Sequence, residues 1–172
     1  KMGTLNRIVL FACNQGGHFS QLMALNELFG KYESVLVTDN IRATKDMSTL
    51  KNVTSIEIIE GEAKQRKGQK RNSSGSRLTF VGVYIKSFFH CRKIWMKYRP
   101  KVIVSTGSNI AVPLFIIGKL YGSKIIFIET RAKVYTKSMT GILVRHMADQ
   151  IFVQWPEMLT FYPEAKYCGV LV

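Results

Sequence analysis

An imidazole placed just after a glycine pair is the first chemical feature of this 172-residue chain. The apolar run Arg7-Ile-Val-Leu-Phe-Ala-Cys13 gives way to Asn14-Gln-Gly-Gly-His18, and Leu22, Leu25, Leu28 and Phe29 follow at helical spacing. A strand that turns through glycines into a helix leaves unpaired N–H groups facing outward, which suits a phosphate or another anion. Gly16 and Gly17 let such a ligand approach the backbone closely. A neutral His18 at the mouth of that turn can take a proton from an attacking hydroxyl. The same residues also fit a plain glycine turn with a histidine cap. The spacing is neither GxGxxG nor a P-loop.

Two further corners repeat the pattern. Ser105-Thr106-Gly107-Ser108-Asn109 follows the apolar run Lys101–Ser105 and opens a helix, so it offers N–H groups and hydroxyls. Helix capping by Ser108 or Asn109 would account for part of the cluster. Glu129-Thr130-Arg131 sets a carboxyl group and a guanidinium just after another strand, where a surface ion pair is the simpler reading. Three polar corners at one sheet edge favour a site.

These corners must be held by a sheet. Strand patterns at 7–13, 34–38, 53–59, 101–106, 123–129, 150–154 and 167–172 alternate with helical ones at 19–29, 77–98, 110–121 and 138–148. Near-continuous apolar strands alternating with helices predict an α/β fold, a Rossmann-like, doubly wound and mainly parallel sheet. Ligands of such sheets gather at the carboxyl ends of the strands, where the strand order reverses. The whole of 1–172 reads as one domain, with 62–99 forming a basic loop and an amphipathic helix.

That helix is rich in aromatics and cations. Phe88, Phe89 and Trp95, with Lys86, Arg92 and Lys93, make the mixture that interfacial helices carry. A buried crossover helix with a solvated basic face fits the same residues. Trp155, Leu171 and Val172 put apolar groups near the chain end and suggest a partner surface.

Composition narrows the partners. Lys and Arg number 25 against 11 acidic residues, a formal charge of +14. Anionic lipid, nucleic acid or phosphorylated substrates would complement it. No helix-turn-helix, zinc-finger or RNP signature appears, so nucleic acid is not expected. Three dispersed cysteines form no CxxC pair, which argues against zinc and for a reducing compartment. No apolar run reaches the roughly 18 residues of a membrane span. Asp39, at the end of the second strand, could mimic the ribose contact of a nucleotide-binding oxidoreductase, an alternative weakened by the incomplete glycine fingerprint.

Four blocks together resemble a known family: Gly16–His18 with QLMAL, STGSNIAVP, FIETRAKV, and IFVQWPEM with YCGVLV. They are similar to the membrane-anchor subunit of the two-part dolichol-pathway N-acetylglucosaminyltransferase. They resemble still more its bacterial counterparts in capsule and exopolysaccharide synthesis, the PssD-like enhancer subunits. The resemblance implies the N-terminal, acceptor-side half of a split inverting GT-B glycosyltransferase, at the cytoplasmic face of a bacterial membrane. A separate subunit would bind the UDP-sugar donor, and no cofactor or metal is implied. The acceptor would be a polyprenyl-diphosphate-linked sugar. Carried over by motif, His18 is the base, and Gly16, Gly17, Thr106, Gly107, Ser108, Asn109 and Arg131 lie at the acceptor's diphosphate. Glu129 would orient the sugar or His18. A non-catalytic scaffold, with every catalytic group in the partner, is the competing role. The eukaryotic anchor usually starts with a membrane-spanning helix, so attachment here is expected to rest on the basic–aromatic segment.

Overall fold

The computed structural model describes residues 8–39, 50, 53–59 and 76–171, without the side chains of 76–81 and 83. Seven parallel strands form one sheet: β1 Ile8–Cys13, β2 Glu33–Thr38, β3 Val53–Ile58, β4 Val102–Ser105, β5 Lys124–Ile128, β6 Gln150–Val153 and β7 Lys166–Tyr167. Their order is β3-β2-β1-β4-β5-β6-β7. The reversal therefore falls between β1 and β4, which pair in parallel from Val9↔Val102 to Ala12↔Ser105. A crevice opens at their carboxyl ends, because successive crossovers leave in opposite directions there.

The expected alternation of strands with helices is present. Helices α1 Gly17–Met23 and α2 Asn26–Phe29 follow β1, α3 Ser76–Tyr98 precedes β4, α4 Ala111–Leu120 follows it, and α5 Met139–Val144 lies between β5 and β6. Side chains of each strand point alternately to two cores. Leu10, Ala12, Ile103, Phe127 and Val153 meet α3, α4 and α5 on one face. Phe11, Cys13, Leu36 and Val104 meet Leu22 and Phe29 on the other. The Phe11 and Phe29 rings meet edge to face at 4.7 Å, a geometry that adds about 1 kcal/mol beyond area burial.

Two elements differ from expectation. The helix expected over 19–29 is broken in two, because the chain tightens to i→i+3 bonds from Leu25 N–H to the Leu22 carbonyl and from Leu28 N–H to that of Leu25. The strand expected over 167–172 stops after Tyr167. Gly169 has φ +93°, outside the extended region, and Leu171 turns in to pack on the second core. Among the described residues no helix is long and apolar enough to cross a membrane.

Candidate functional site

The β1/β4 crevice is lined by two turns tied together through His18. Its Nδ1 lies 2.8 Å from the Thr106 carbonyl oxygen, and the Thr106 hydroxyl donates to the His18 carbonyl at 2.8 Å. A carbonyl oxygen only accepts, so Nδ1 carries the hydrogen and the neutral ring keeps its lone pair on Nε2. Gly107 lies under the ring: a Cβ there would stand 3.1 Å from His18 Cε1. With φ +96° as well, position 107 requires glycine on two counts. His18 is half-buried, while Gly16 and Gly17 are exposed with open space around them.

The turn is held from the other side by Asp39. Its two carboxylate oxygens accept from Gln15 N–H at 2.7 Å and Asn14 Nδ2 at 3.1 Å. Both oxygens thus serve to hold the glycine turn that carries His18.

The second turn is partly committed to structure. The Ser105 hydroxyl donates to the Ala12 carbonyl at 2.7 Å and accepts from Gly107 N–H at 3.2 Å. Gly107 N–H and the Thr106 hydroxyl, expected at the acceptor's diphosphate, are therefore engaged internally and position His18. Ser108 differs. It is only 6% exposed, and its Oγ is buried without a partner. No side chain caps α4, so helix capping does not explain this serine. Asn109 is exposed beside it.

Glu129 is 1% exposed. Its Oε1 accepts from Thr130 N–H at 2.9 Å, and Oε2 from Ser138 N–H at 3.1 Å and the Tyr162 hydroxyl at 2.7 Å. Burial, then the neighbouring Glu129, hold the Tyr162 phenol well above its ordinary range, so it stays a donor. The carboxyl group expected to orient the sugar or His18 thus lies buried and clamps the 130–138 loop. Arg131 is exposed, and its backbone N–H donates to Gln21 Oε1 at 3.1 Å.

Gln21 and Gln154 were not singled out by sequence. Gln21 Nε2 donates to the Gly17 carbonyl at 3.2 Å and the Thr130 hydroxyl at 3.3 Å. Gln154 Nε2 donates to Gln21 Oε1 at 2.6 Å and the Glu129 carbonyl at 2.9 Å. Leu171 N–H closes the chain of contacts on Gln154 Oε1 at 2.9 Å. The histidine helix, the ends of β5 and β6 and the C-terminal segment are thus one buried polar network. The available signal was an amide at the end of an apolar strand, Ile151-Phe-Val-Gln154.

The family model for oligosaccharide biosynthesis protein Alg14-like chains matches residues 8–171. The chain belongs to that family. A Kluyveromyces lactis relative, "UDP-N-acetylglucosamine transferase subunit ALG14", is 27% identical over 191 residues, covering 99% of this chain and 81% of that one. The Mus musculus protein of the same name is 23% identical, covering 95% and 82%. Among solved structures, MurG from Acinetobacter baumannii superposes with a TM-score of 0.69 at 13% identity, over 96% of this chain and 46% of that one. UDP-GlcNAc 2-epimerase from Methanocaldococcus jannaschii gives 0.65 at 11%, over 95% and 45%. These likenesses show the GT-B-type fold; the chain spans less than half of each solved protein.

In this Alg14-like chain the expected membrane and partner residues divide. Lys86, Phe89, Arg92 and Lys93 are exposed, joined by Ile85 and Met96 on the same helical face. Phe88 and Trp95 instead pack on the first core. The Trp95 ring stacks on Tyr121 at 4.5 Å, and its Nε1 donates to the Ser123 hydroxyl at 2.8 Å. These two rings therefore serve the core, as the crossover reading of α3 required. Trp155 is half-buried and donates from Nε1 to the Arg131 carbonyl at 2.7 Å, and half-buried Leu171 packs on the second core. Both are engaged within the chain. Val172, and the cations at 62–75 expected in a basic loop, lie outside the described residues.

Proposed function

We propose that this chain is the acceptor-binding, membrane-associating subunit of a split inverting glycosyltransferase. It acts with a separate donor-binding subunit to move GlcNAc from UDP-GlcNAc to a polyprenyl-diphosphate-linked saccharide. The donor sugar follows the names of the curated relatives. The capsule or exopolysaccharide setting follows the four sequence blocks, and the cytoplasmic membrane face follows the location of nucleotide-sugar donors.

One observation supports the catalytic role: His18 Nδ1 is tied to the Thr106 carbonyl where the strand order reverses, which leaves Nε2 of the neutral ring as the nitrogen that can accept a proton. In the reaction, Nε2 takes the proton of the acceptor sugar hydroxyl as that oxygen attacks the anomeric carbon. The bond from that carbon to the UDP oxygen breaks on the opposite face, and UDP leaves with the electron pair. The open turn at Gly16 and Gly17, the unpartnered Ser108 hydroxyl, Asn109 and Arg131 supply anion contacts for the acceptor's diphosphate. Thr106 and Gly107 hold the base rather than the acceptor.

The test is reconstitution. The chain and its donor-binding subunit are purified separately, then assayed alone and together for transfer from UDP-GlcNAc to a polyprenyl-diphosphate sugar. Turnover should require both. Full activity from this chain by itself would overturn the split-enzyme reading.

A further inference from the structure

Helix α5 carries its apolar residues on the wrong side for a core helix. Gly141 and Val144 face inward, yet Met139, Ile142 and Leu143, spaced i, i+3 and i+4 on one stripe, are 74%, 50% and 50% exposed. Tyr135, in the loop just before, is 70% exposed. Core packing does not account for four large apolar side chains turned to solvent within nine positions.

The surrounding charge is of one sign. From Thr130 to Ala148 there is no Asp or Glu, while Arg131, Lys133, Lys137 and Arg145 fall within the same stretch. Long cationic side chains around an apolar stripe are what an anionic lipid surface selects, because the stems can lie along the acyl boundary while the charges reach headgroups. A second protein would be matched by an acidic rim, which this chain, at +14, does not offer to another copy of itself.

The stripe is also tied to the site. Glu129 clamps the loop through Ser138 N–H, Ser138 Oγ accepts from Gly141 N–H at 2.9 Å, and the Thr140 hydroxyl donates to the Ser108 carbonyl at 3.4 Å. Helix α4, which Ser108 precedes, packs against both α3 and α5.

We propose that the 131–137 loop and α5 are a membrane-contact surface for an anionic leaflet, inserting Tyr135, Met139, Ile142 and Leu143. With the exposed face of α3 it straddles the Ser108 corner and sets the acceptor turn at headgroup depth. The inference rests on the reading of a lipid-linked acceptor, but its test needs neither acceptor nor turnover.

The whole chain is sedimented with vesicles of phosphatidylcholine, with and without phosphatidylglycerol. Wild type should bind only the anionic vesicles, and added salt should weaken binding. The double substitution Ile142→Glu with Leu143→Glu changes only half-exposed positions, so its melting temperature should match wild type. Its vesicle affinity should fall at least tenfold, and that of Lys133→Ala about fivefold. Ile85→Glu with Phe89→Glu reports the α3 face separately. Wild type that ignores anionic vesicles overturns the proposal. So does a folded Ile142→Glu, Leu143→Glu protein that binds vesicles normally, including one that instead loses self-association or the donor subunit.

Discussion

Replacing Gly107 by alanine should separate the position of the catalytic ring from the stability of the fold. A Cβ at 107 would sit 3.1 Å from His18 Cε1 and 3.3 Å from Nδ1, against a comfortable carbon–carbon separation of about 3.5–4.0 Å. The ring must therefore yield by roughly 0.5 Å, and its 2.8 Å bond to the Thr106 carbonyl leaves little slack. A misplacement of about 1 Å can cost on the order of a hundredfold in rate, so roughly tenfold in kcat is expected here. Gly107 also has φ +96°, and a side chain in the left-handed region costs about 1–2 kcal/mol. Gly122→Ala is the matched control: φ is +85°, but nothing lies within 4 Å of its Cβ, and the residue precedes β5 at the far edge of the sheet. Both variants should lose roughly 2–8 °C in melting temperature, while only Gly107→Ala loses turnover with the donor subunit at a temperature where both are folded. Equal kcat in the two variants would refute the claim that the ring acts from its observed position.

Other outcomes follow from the same contacts. Ser108→Ala removes a hydroxyl that the fold leaves unpartnered, so thermal stability should change by less than about 0.5 kcal/mol while the acceptor KM rises; a marked loss of stability would assign the hydroxyl to structure. Gly141→Ala would drive a Cβ into the Tyr162 hydroxyl and to 2.5 Å from Glu129 Oε2, costing about 3 kcal/mol or roughly 6–12 °C in a melt. A melting temperature within a degree or two of wild type would contradict the clamp. Burial pulls the Glu57 and Asp149 carboxyls up, but the hydrogen bonds from Lys97 and Tyr98, and from Lys119 and Ile125 N–H, outweigh it and hold both below their ordinary 4.5 and 3.8. Their contribution is thus complete above those values and lost as pH falls through the lowered ones. Thermal melts should show a decline in strong acid that Glu57→Gln reduces, and no such difference would refute the assignment.

Much of the fold was legible because burial on both faces leaves a plain signal. β1, β4 and β5 are apolar at nearly every position and β2 across Val35–Val37, and this continuity required helices on either side. The meeting of the Gly16–His18 and Thr106–Asn109 turns followed from topology, since both leave the strands at which the order reverses. The division of labour within the turns did not. Whether a hydroxyl faces a ligand or a backbone carbonyl is decided by rotamer and by contacts 88 or more positions away, as for Thr106 and Ser105. The contacts of Glu129 were hidden for the same reason: the Tyr162 hydroxyl that holds it lies 33 positions on. In α3, helical spacing placed Phe88 and Trp95 beside Phe89 without stating how wide the buried arc would be, and packing against α4 and Tyr121 took in more of the helix than a membrane face would leave. The exposed stripe of α5 was overlooked because a short apolar helix reads as core until its outer face is seen.

The central claim is that His18 Nε2 accepts the proton of the acceptor hydroxyl, and turnover of the His18→Ala protein with its donor-binding subunit tests it most directly. A fall in kcat of roughly 10²–10⁴-fold, with acceptor KM and melting temperature little changed, is the predicted result. Undiminished kcat would make His18 a structural residue and leave this chain a scaffold.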